Sequence, residues 1–199
     1  MFGAGTDLSL ASDIRGETPV KISIGAYDSD GFYRTLRSSG GDYSSAITAE
    51  ATMQADLTAT GDRSYLEAYN DWPSGLPEEF GIVGWTTSAT YYFTFRAAAG
   101  EAHGGVIGAG FWISGLPTTA DNRTIRVEVD YTVIEDIEVN VTTAQQAHGV
   151  DMRGECAYGV VNRCILKHGS GGGSVVALVF RGDNLTARNC ELIGTNALA

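Results

Sequence analysis

Three short segments near the end of the chain share one pattern: Ile134-Glu-Asp-Ile-Glu-Val139, Val161-Asn-Arg-Cys-Ile-Leu166 and Ala187-Arg-Asn-Cys-Glu-Leu192. They recur at intervals of 27 and 26 residues, and they carry strand-type residues without the apolar spacing of a helix. A unit of this length cannot bury its apolar face alone, so neighbouring units must stack and share one core. The segments therefore predict a solenoid of stacked, parallel β-strands.

The repeat also predicts which side chains lie next to each other. In a stack of parallel coils, residues at equivalent positions form columns at the strand spacing of roughly 4.8 Å. Three columns are expected: Ile134, Val161 and Ala187; Ile137, Cys164 and Cys190; Val139, Leu166 and Leu192. The two aligned thiols should act as small apolar groups. We expect them to be reduced, because a disulfide between adjacent parallel strands would be strained.

The residues before these segments contain further short β-rich stretches separated by turn-forming loops. Ala46 to Leu57 is the exception, because Ser44 or Ser45 can cap a helix there and apolar residues fall along one side of it. The first coil of a solenoid would otherwise expose apolar side chains and unpaired strand edges. We therefore predict that residues 46–57 form a helix that covers the N-terminal end of the solenoid.

The chain is predicted to have two parts. Residues 1–35 are loop-like apart from one alternating run, Val20-Lys-Ile-Ser-Ile24, and are expected to form an extended N-terminal arm. Residues 36–199 are expected to contain the capping helix and the solenoid. The final coil, which runs to Ala199, carries no polar cap. This predicts that the natural polypeptide continues or that a partner covers that end.

The charge balance excludes some classes of function. The 199 residues include 13 Lys and Arg against 24 Asp and Glu, a net charge of −11, which argues against nucleic-acid binding because that normally requires a basic surface. An acidic carbohydrate would also be repelled unless basic groups cluster locally. No apolar stretch reaches the roughly 18–20 residues of a membrane helix, so no membrane insertion is expected.

Two charged turns contain the candidate catalytic residues. Arg153-Gly-Glu155 and Arg181-Gly-Asp183 recur 28 residues apart, so stacking would place Arg153 near Arg181 and Glu155 near Asp183. A close carboxylate pair can supply the acid and the base for glycoside cleavage. The alternative is a pair of solvated turns, whose ion pairs contribute only about 0–1 kcal/mol. We favour this alternative, because stacking by itself produces a repeated turn.

The sequence predicts neither a metal site nor a cofactor. The three histidines, His103, His148 and His168, do not have metal-ligand spacing, and there is no Cys-x-x-Cys pair. Calcium would take carboxylate oxygens, and four acidic residues do cluster on one coil: Asp130, Glu135, Asp136 and Glu138. Because strand geometry divides this cluster between two faces, we expect it to be a solvated strand edge.

Trp72 is the candidate for contact with a glycan. Aromatic rings offer flat apolar faces to sugars, but most aromatic residues of this chain alternate with apolar ones, as buried strand positions do. Trp72 lies instead in the loop Asn70-Asp-Trp-Pro73, where its ring can be exposed.

The sequence resembles right-handed parallel β-helix proteins of the pectate-lyase-like group. The resemblance covers about residues 38–199 and lies chiefly in Tyr91 to Gly105, Gly110-Phe-Trp-Ile113 and Asp130 to Val139. These stretches are similar to uncharacterised β-helix proteins of bacteriophages and environmental bacteria. The resemblance implies a tail spike, a fibre or another part of a virion surface, and often a trimer. It also implies that enzymatic members line a groove with Arg, Asp and Glu.

We therefore expect a right-handed parallel β-helix with one N-terminal capping helix and an arm, acting as a non-enzymatic virion surface protein. It would be a tail spike, a fibre or a capsid decoration protein, assembled as a homotrimer. The arm would attach it to other virion proteins, and the solenoid would contact a host surface glycan. Two alternatives remain open: a polysaccharide lyase or glycoside hydrolase of the same fold, and a bacterial adhesin-like protein at the cell surface or outside the cell.

Overall fold

A computed structural model describes residues 31–115, 123–141, 147–169 and 175–194 of the chain. In these residues the chain forms two helices, α1 (Ala46–Met53) and α2 (Leu57–Thr60). It also forms strands β1 (Gly31–Leu36), β2 (Arg63–Ala68), β3 (Phe80–Ile82), β4 (Phe93–Ala97), β5 (Trp112–Gly115), β6 (Arg123–Val127), β7 (Val133–Glu135), β8 (Glu138–Val141), β9 (Ala147–Met152), β10 (Val160–Asn162), β11 (Ile165–His168), β12 (Val175–Phe180), β13 (Thr186–Arg188) and β14 (Glu191–Gly194).

The strands form three parallel sheets. The first sheet has the order β1-β2-β4-β7-β10-β13, the second β5-β8-β11-β14 and the third β3-β6-β9-β12. From β4 to β12 each successive turn of the chain contributes one strand to each sheet, so the chain winds as a β-solenoid of about four turns. The predicted all-β parallel solenoid is confirmed. The apolar side chains of all three sheets meet in one core.

The strand register confirms the two predicted columns that lie in strands: Ile134, Val161 and Ala187 in the first sheet, and Val139, Leu166 and Leu192 in the second. The first two members of each column are fully buried, whereas Leu192, in the terminal strand of its sheet, is 60% exposed. Burial of an aliphatic side chain is worth about 1.5–3 kcal/mol, so these columns stabilise the late turns strongly.

Two sets of non-glycine residues adopt the left-handed backbone conformation at the corners beside the first sheet. Tyr131, Tyr158 and Asn184 precede its strands, with φ of 49°, 58° and 55°. Asp136, Arg163 and Asn189 follow them, with φ of 62°, 50° and 54°. This conformation costs a non-glycine residue about 1–2 kcal/mol. The same corner therefore recurs because the stacked strands on either side of it hold the backbone in place.

Helix α1 lies against β3, the terminal strand of the third sheet, as predicted for a helix at the N-terminal end. The Ser45 side chain accepts a hydrogen bond from the Thr48 N–H at 3.2 Å. The carboxylate of Glu78, near β3, accepts another from the Ala46 N–H at 2.7 Å. Both interactions satisfy N–H groups that the helix leaves without partners, and the second one joins the helix to the next turn.

Helix α1 ends at Met53, four residues before the predicted end at Leu57. Leu57 instead begins the separate single turn α2, which Asp56 caps. Between the two helices the backbone pairs with Thr86: Thr86 donates to the Ala55 carbonyl at 3.2 Å, and Leu57 donates to the Thr86 carbonyl at 2.9 Å. A continuous helix would occupy these groups, so the pairing with the next turn explains the break.

The structure changes the predicted limit of the arm. Strand β1 (Gly31–Leu36) pairs with β2 along its whole length, so residues 31–35 belong to the first sheet and not to the predicted arm. The remainder of the predicted arm, residues 1–30, lies outside the described residues, as does the end of the final coil, residues 195–199.

Candidate functional site

The two predicted charged turns lie directly after β9 and β12, on the third sheet. The Arg153 N–H donates to the Val127 carbonyl and the Arg181 N–H to the Met152 carbonyl, both at 2.9 Å. Arg153 and Arg181 therefore occupy equivalent positions in successive turns, as predicted.

Asp151 is the centre of a charged cluster beside these turns. Its side chain is fully buried, and Arg123 donates a hydrogen bond to its Oδ2. His148 Nδ1 lies 3.2 Å from the same oxygen, and Arg181 Nε lies 3.3 Å from Oδ1. Partners of this kind compensate for the cost of burying a carboxylate. Because they come from three successive turns, Asp151 ties those turns together.

Arg153 has more exposed partners. Its Nε lies 3.7 Å from Glu128 Oε1 and 4.0 Å from Glu155 Oε2, and Arg126 Nε approaches Glu128 at 3.5 Å. These are loose pairs on a solvated surface, and the Glu155 side chain is 63% exposed. Such pairs contribute about 0–1 kcal/mol each, so they place the arginines without adding much stability.

The structure does not join Glu155 and Asp183 into a catalytic pair. Arg181 contacts Asp151 rather than Asp183, and within the described residues the two predicted acids share no ion-pair partner. A Cβ atom on Gly182 would lie 1.7 Å from the Cys156 carbonyl oxygen. The second turn thus packs directly on the first at Gly182, whereas a Cβ atom on Gly154 would meet nothing within 4 Å.

The outer face of the first sheet carries a charge ladder that the sequence did not predict. The register aligns Glu67, Arg96 and Glu135 across β2, β4 and β7. Arg96 donates to Glu67 Oε1 at 2.6 and 3.1 Å and lies 3.8 Å from Glu135. Arg163 then contacts Glu135 at 3.2 Å and donates to both oxygens of Asp136 at 2.6 Å. The hydrogen bonds that Arg163 donates to Asp136 raise the pKa of its guanidinium.

The predicted acidic cluster is dispersed in the structure. Glu135 and Asp136 belong to the charge ladder, whereas Glu138 is buried and accepts a hydrogen bond from the Gly108 N–H at 2.6 Å. Asp130 accepts one from the Ala157 N–H at 2.6 Å. Across the part of the chain that the structure describes, no three His, Cys, Asp or Glu side chains are placed to hold a metal ion.

Trp72, the predicted glycan contact, packs partly against the core. It is half-buried and packs edge-on against Phe111, with 6.1 Å between ring centroids. The rings of Tyr131 and Tyr158 instead stack face to face at one corner of the solenoid, 4.9 Å apart and within 7° of parallel. Tyr158 is 49% exposed. The signal for this pair was the 27-residue spacing of two tyrosines before successive strands.

The cysteines divide into one pair and one single residue. Cys164 and Cys190 lie at equivalent corners of successive turns, and Cys156 is buried elsewhere. All three are free thiols. His103 is buried near the pair, with Nε2 2.8 Å from the Arg163 carbonyl and Nδ1 accepting from the Gly105 N–H at 2.9 Å. Both ring nitrogens are therefore engaged with backbone groups, which suits an anchoring role.

In comparisons with known proteins, no family model, no curated protein and no solved structure matches the chain. Neither of the helices in the described residues has the length and apolar character needed to cross a membrane. The charged faces of the first and third sheets and the Tyr131–Tyr158 stack are therefore the features from which a function must be argued.

Proposed function

We propose that this chain is a non-enzymatic structural protein of a virion surface, in a tail spike, a fibre or a capsid decoration. The virion setting is supported by the resemblance of the sequence to bacteriophage β-helix proteins. The non-enzymatic role is supported by one structural observation: the buried and half-buried carboxylates of the solenoid faces contact arginines or backbone N–H groups of the same chain. These are Glu67, Glu135, Asp136, Glu138 and Asp151.

The chemistry of glycoside cleavage explains why this observation matters. A glycosidase needs a carboxylic acid that can remain protonated, opposite a second carboxylate at a suitable distance. Burial does raise the pKa of Glu50. Its Oε1, however, accepts hydrogen bonds from the Val83 N–H at 2.9 Å and Trp85 Nε1 at 3.0 Å, at the junction of α1 with the solenoid. Glu50 therefore fastens the helix to the next turn instead of facing a substrate.

We propose Tyr158, rather than Trp72, as the aromatic residue that contacts a host glycan. Tyr131 covers one face of the Tyr158 ring. The next residue of the same corner column is Asn184. Because its side chain is short and not aromatic, no third ring stacks on the other face of Tyr158. A sugar can present its C–H face to such a ring, and the nearby side chain of Asn184 can donate and accept hydrogen bonds.

We also propose that the chain works as a homotrimer attached through residues 1–30. An apolar tip, Val106-Ile107, supports the existence of an interface, because these side chains are 61% and 48% exposed. The tip belongs to an anchored loop: Glu138 binds the Gly108 N–H, and His103 binds the Gly105 N–H. An exposed apolar group on a fixed support is suited to packing against another protein.

The enzyme alternative is tested by incubating the purified chain with acidic and neutral polysaccharides. We expect no new reducing ends and no unsaturated products. Cleavage that disappears in Glu155→Gln or Asp183→Asn, but persists in the control Glu191→Gln at an exposed position of β14, would replace the structural proposal with a lyase or hydrolase.

The assembly is tested by light scattering of the purified chain at micromolar concentration. We expect a trimer, and we expect Ile107→Asp to weaken it. Ile47→Asp is the matched control, because Ile47 is 53% exposed on α1, away from the loop. A stable monomer, or equal weakening by both substitutions, would contradict the proposed interface.

The virion setting has its own test. An antibody raised against the purified chain is applied to viral particles and host cells from one culture, and bound label is located by electron microscopy. Label on the particles is expected. Label confined to the cell surface would favour the adhesin-like alternative.

A further inference from the structure

The strand register brings two cysteines together at one corner of the solenoid. Asn162 pairs with Arg188 before the corner, and Leu166 pairs with Leu192 after it. Cys164 and Cys190 lie between these pairs, each directly after a left-handed residue. Strands in a sheet are about 4.8 Å apart, and this separation lies within the 4.4–6.8 Å between Cα atoms that a disulfide can bridge.

The two thiols have different surroundings. Cys164 is buried, and its Sγ donates to the Asn162 carbonyl at 3.3 Å. Cys190 is partly exposed, and its Sγ lies 3.2 Å from the Arg188 carbonyl and 3.5 Å from the Val161 carbonyl. A reagent in solution can therefore reach Cys190, whereas Cys164 is buried at the equivalent position of the preceding turn.

The pKa values of the two thiols, like their exposure, favour reaction at Cys190. The interaction with the Cys164 side chain lowers the pKa of Cys190 to about 6. Burial raises the pKa of Cys164, and so does Asp136 in the preceding turn. Burial also raises the pKa of Cys156 to about 12. Since thiolates are the nucleophiles in sulfur chemistry, Cys190 is the thiol with the means to react.

We propose that Cys190 is a thiol-modification site and that Cys164 is its resolving partner, so that a small-molecule disulfide converts the pair into a reversible bridge between successive turns. In the first step the Cys190 thiolate attacks one sulfur of oxidised glutathione, and one glutathione thiolate leaves. In the second step Cys164 loses its proton and attacks the Cys190 sulfur of the mixed disulfide, which releases the second glutathione. The two cysteines lose two electrons, and the glutathione disulfide gains them.

The expected bridge is easy to reduce. Side chains stacked in register have Cβ atoms near the strand spacing of about 4.8 Å, whereas relaxed disulfides bring them to about 3.5–4.5 Å. A bridge formed under this strain has a less negative reduction potential than a structural disulfide. The sequence expectation of reduced thiols thus describes the resting form, and the strain predicts that a mild reductant restores it.

Peptide mass spectrometry of the folded chain after exposure to oxidised glutathione at pH 7 tests the proposal. We expect a Cys164–Cys190 disulfide, a stable glutathione adduct on Cys190 in Cys164→Ser, and no adduct on Cys164 in Cys190→Ser. The control Cys156→Ser should behave like the parent chain. With iodoacetamide at pH 7, Cys190 should react at least about tenfold faster than Cys156.

Two results would overturn the proposal. One is an iodoacetamide reaction of Cys190 no faster than that of Cys156 in the folded chain, although all three cysteines react in denaturant. The other is a parent chain that stops at the glutathione adduct on Cys190 without closing the bridge. Circular dichroism of each serine variant shows whether it is folded, and Cys164→Ser and Cys190→Ser test the two steps separately.

Discussion

The early and late turns of the solenoid keep one strand register but build different cores. In the early turns, up to residue 115, aromatic rings fill the interior: Phe95 meets Phe80 at 5.3 Å and Phe111 at 6.0 Å, both edge to face. In the late turns, residues 123–194, aliphatic side chains and thiols occupy the equivalent positions, among them Ile134 and Val161. The wide rings need more space than the aliphatic groups do.

The spacing of strands differs in the same way. First-sheet strands begin at residues 31, 63, 93, 133, 160 and 186, so the intervals are 32, 30 and 40 residues early and 27 and 26 late. The additional early residues form α1, α2 and the loop that carries Val106 and Ile107. Insertions therefore leave the first-sheet register intact, because they enter at corners and not within strands.

The largest expected loss of stability comes from substitutions in one column of buried residues that passes through both regions. Phe95, Ile134 and Val161 are register partners and are all fully buried. Phe95→Ala should lower the free energy of unfolding by about 3–5 kcal/mol. Val161→Ala removes two methyl-sized groups and should cost about 1.5–2 kcal/mol. Urea denaturation followed by circular dichroism measures both. Equal costs would show that the aromatic core does not hold the early turns more tightly.

A smaller effect is expected at the junction between helix α1 and the early turns. Glu50→Ala leaves the Val83 N–H and Trp85 Nε1 without their acceptor, which should cost about 1–3 kcal/mol. Burial raises the pKa of Glu50 above its ordinary value of 4.5, so the folded chain holds this proton more strongly than the unfolded chain. Stability should therefore fall as the pH rises from about 4.5 through the higher folded pKa.

Glu50→Gln provides the control for this pH dependence. A glutamine keeps one acceptor oxygen but does not titrate, so the fall in stability over this pH window should be reduced. The comparison uses urea midpoints of the parent and Glu50→Gln chains across the window. Identical pH profiles would mean that another group causes the change.

The difference between the two regions also decides what the sequence could predict. The late columns, including Leu166 on Leu192, follow from the 27- and 26-residue repeat alone. The charge ladder does not, because pairing Glu67 with Arg96 and Arg96 with Glu135 requires a register across separations of 29 and 39 residues. The break after Met53 likewise depends on Thr86, in the next turn.

The candidate site shows the same limit. The Arg-Gly-acid repeat correctly placed Arg153 beside Arg181. It did not reveal that the buried Asp151 takes Arg181 as a partner, because Asp151 lies outside the repeated motif. Tyr131 and Tyr158 are regularly spaced in the sequence. Their spacing does not predict a left-handed backbone, because this conformation is usually adopted by glycine and the corner positions carry tyrosine and asparagine.

The smallest expected effect concerns whether surface charge, rather than the core, holds the late turns together. Arg163→Gln removes the contacts with Glu135 and Asp136. The Arg163 side chain is 50% exposed, so solvent screens these pairs and the loss should be below about 1 kcal/mol at low salt. Near 1 M salt, where the screening length is about 3 Å, the loss should shrink further.

Arg188→Gln is the control, since exposed Arg188 has no ion pair in the described part of the late turns. Urea midpoints of both variants at two salt concentrations measure the difference. A loss for Arg163→Gln that matches Val161→Ala and persists in high salt would mean that the charge ladder stabilises the late turns as much as their core does.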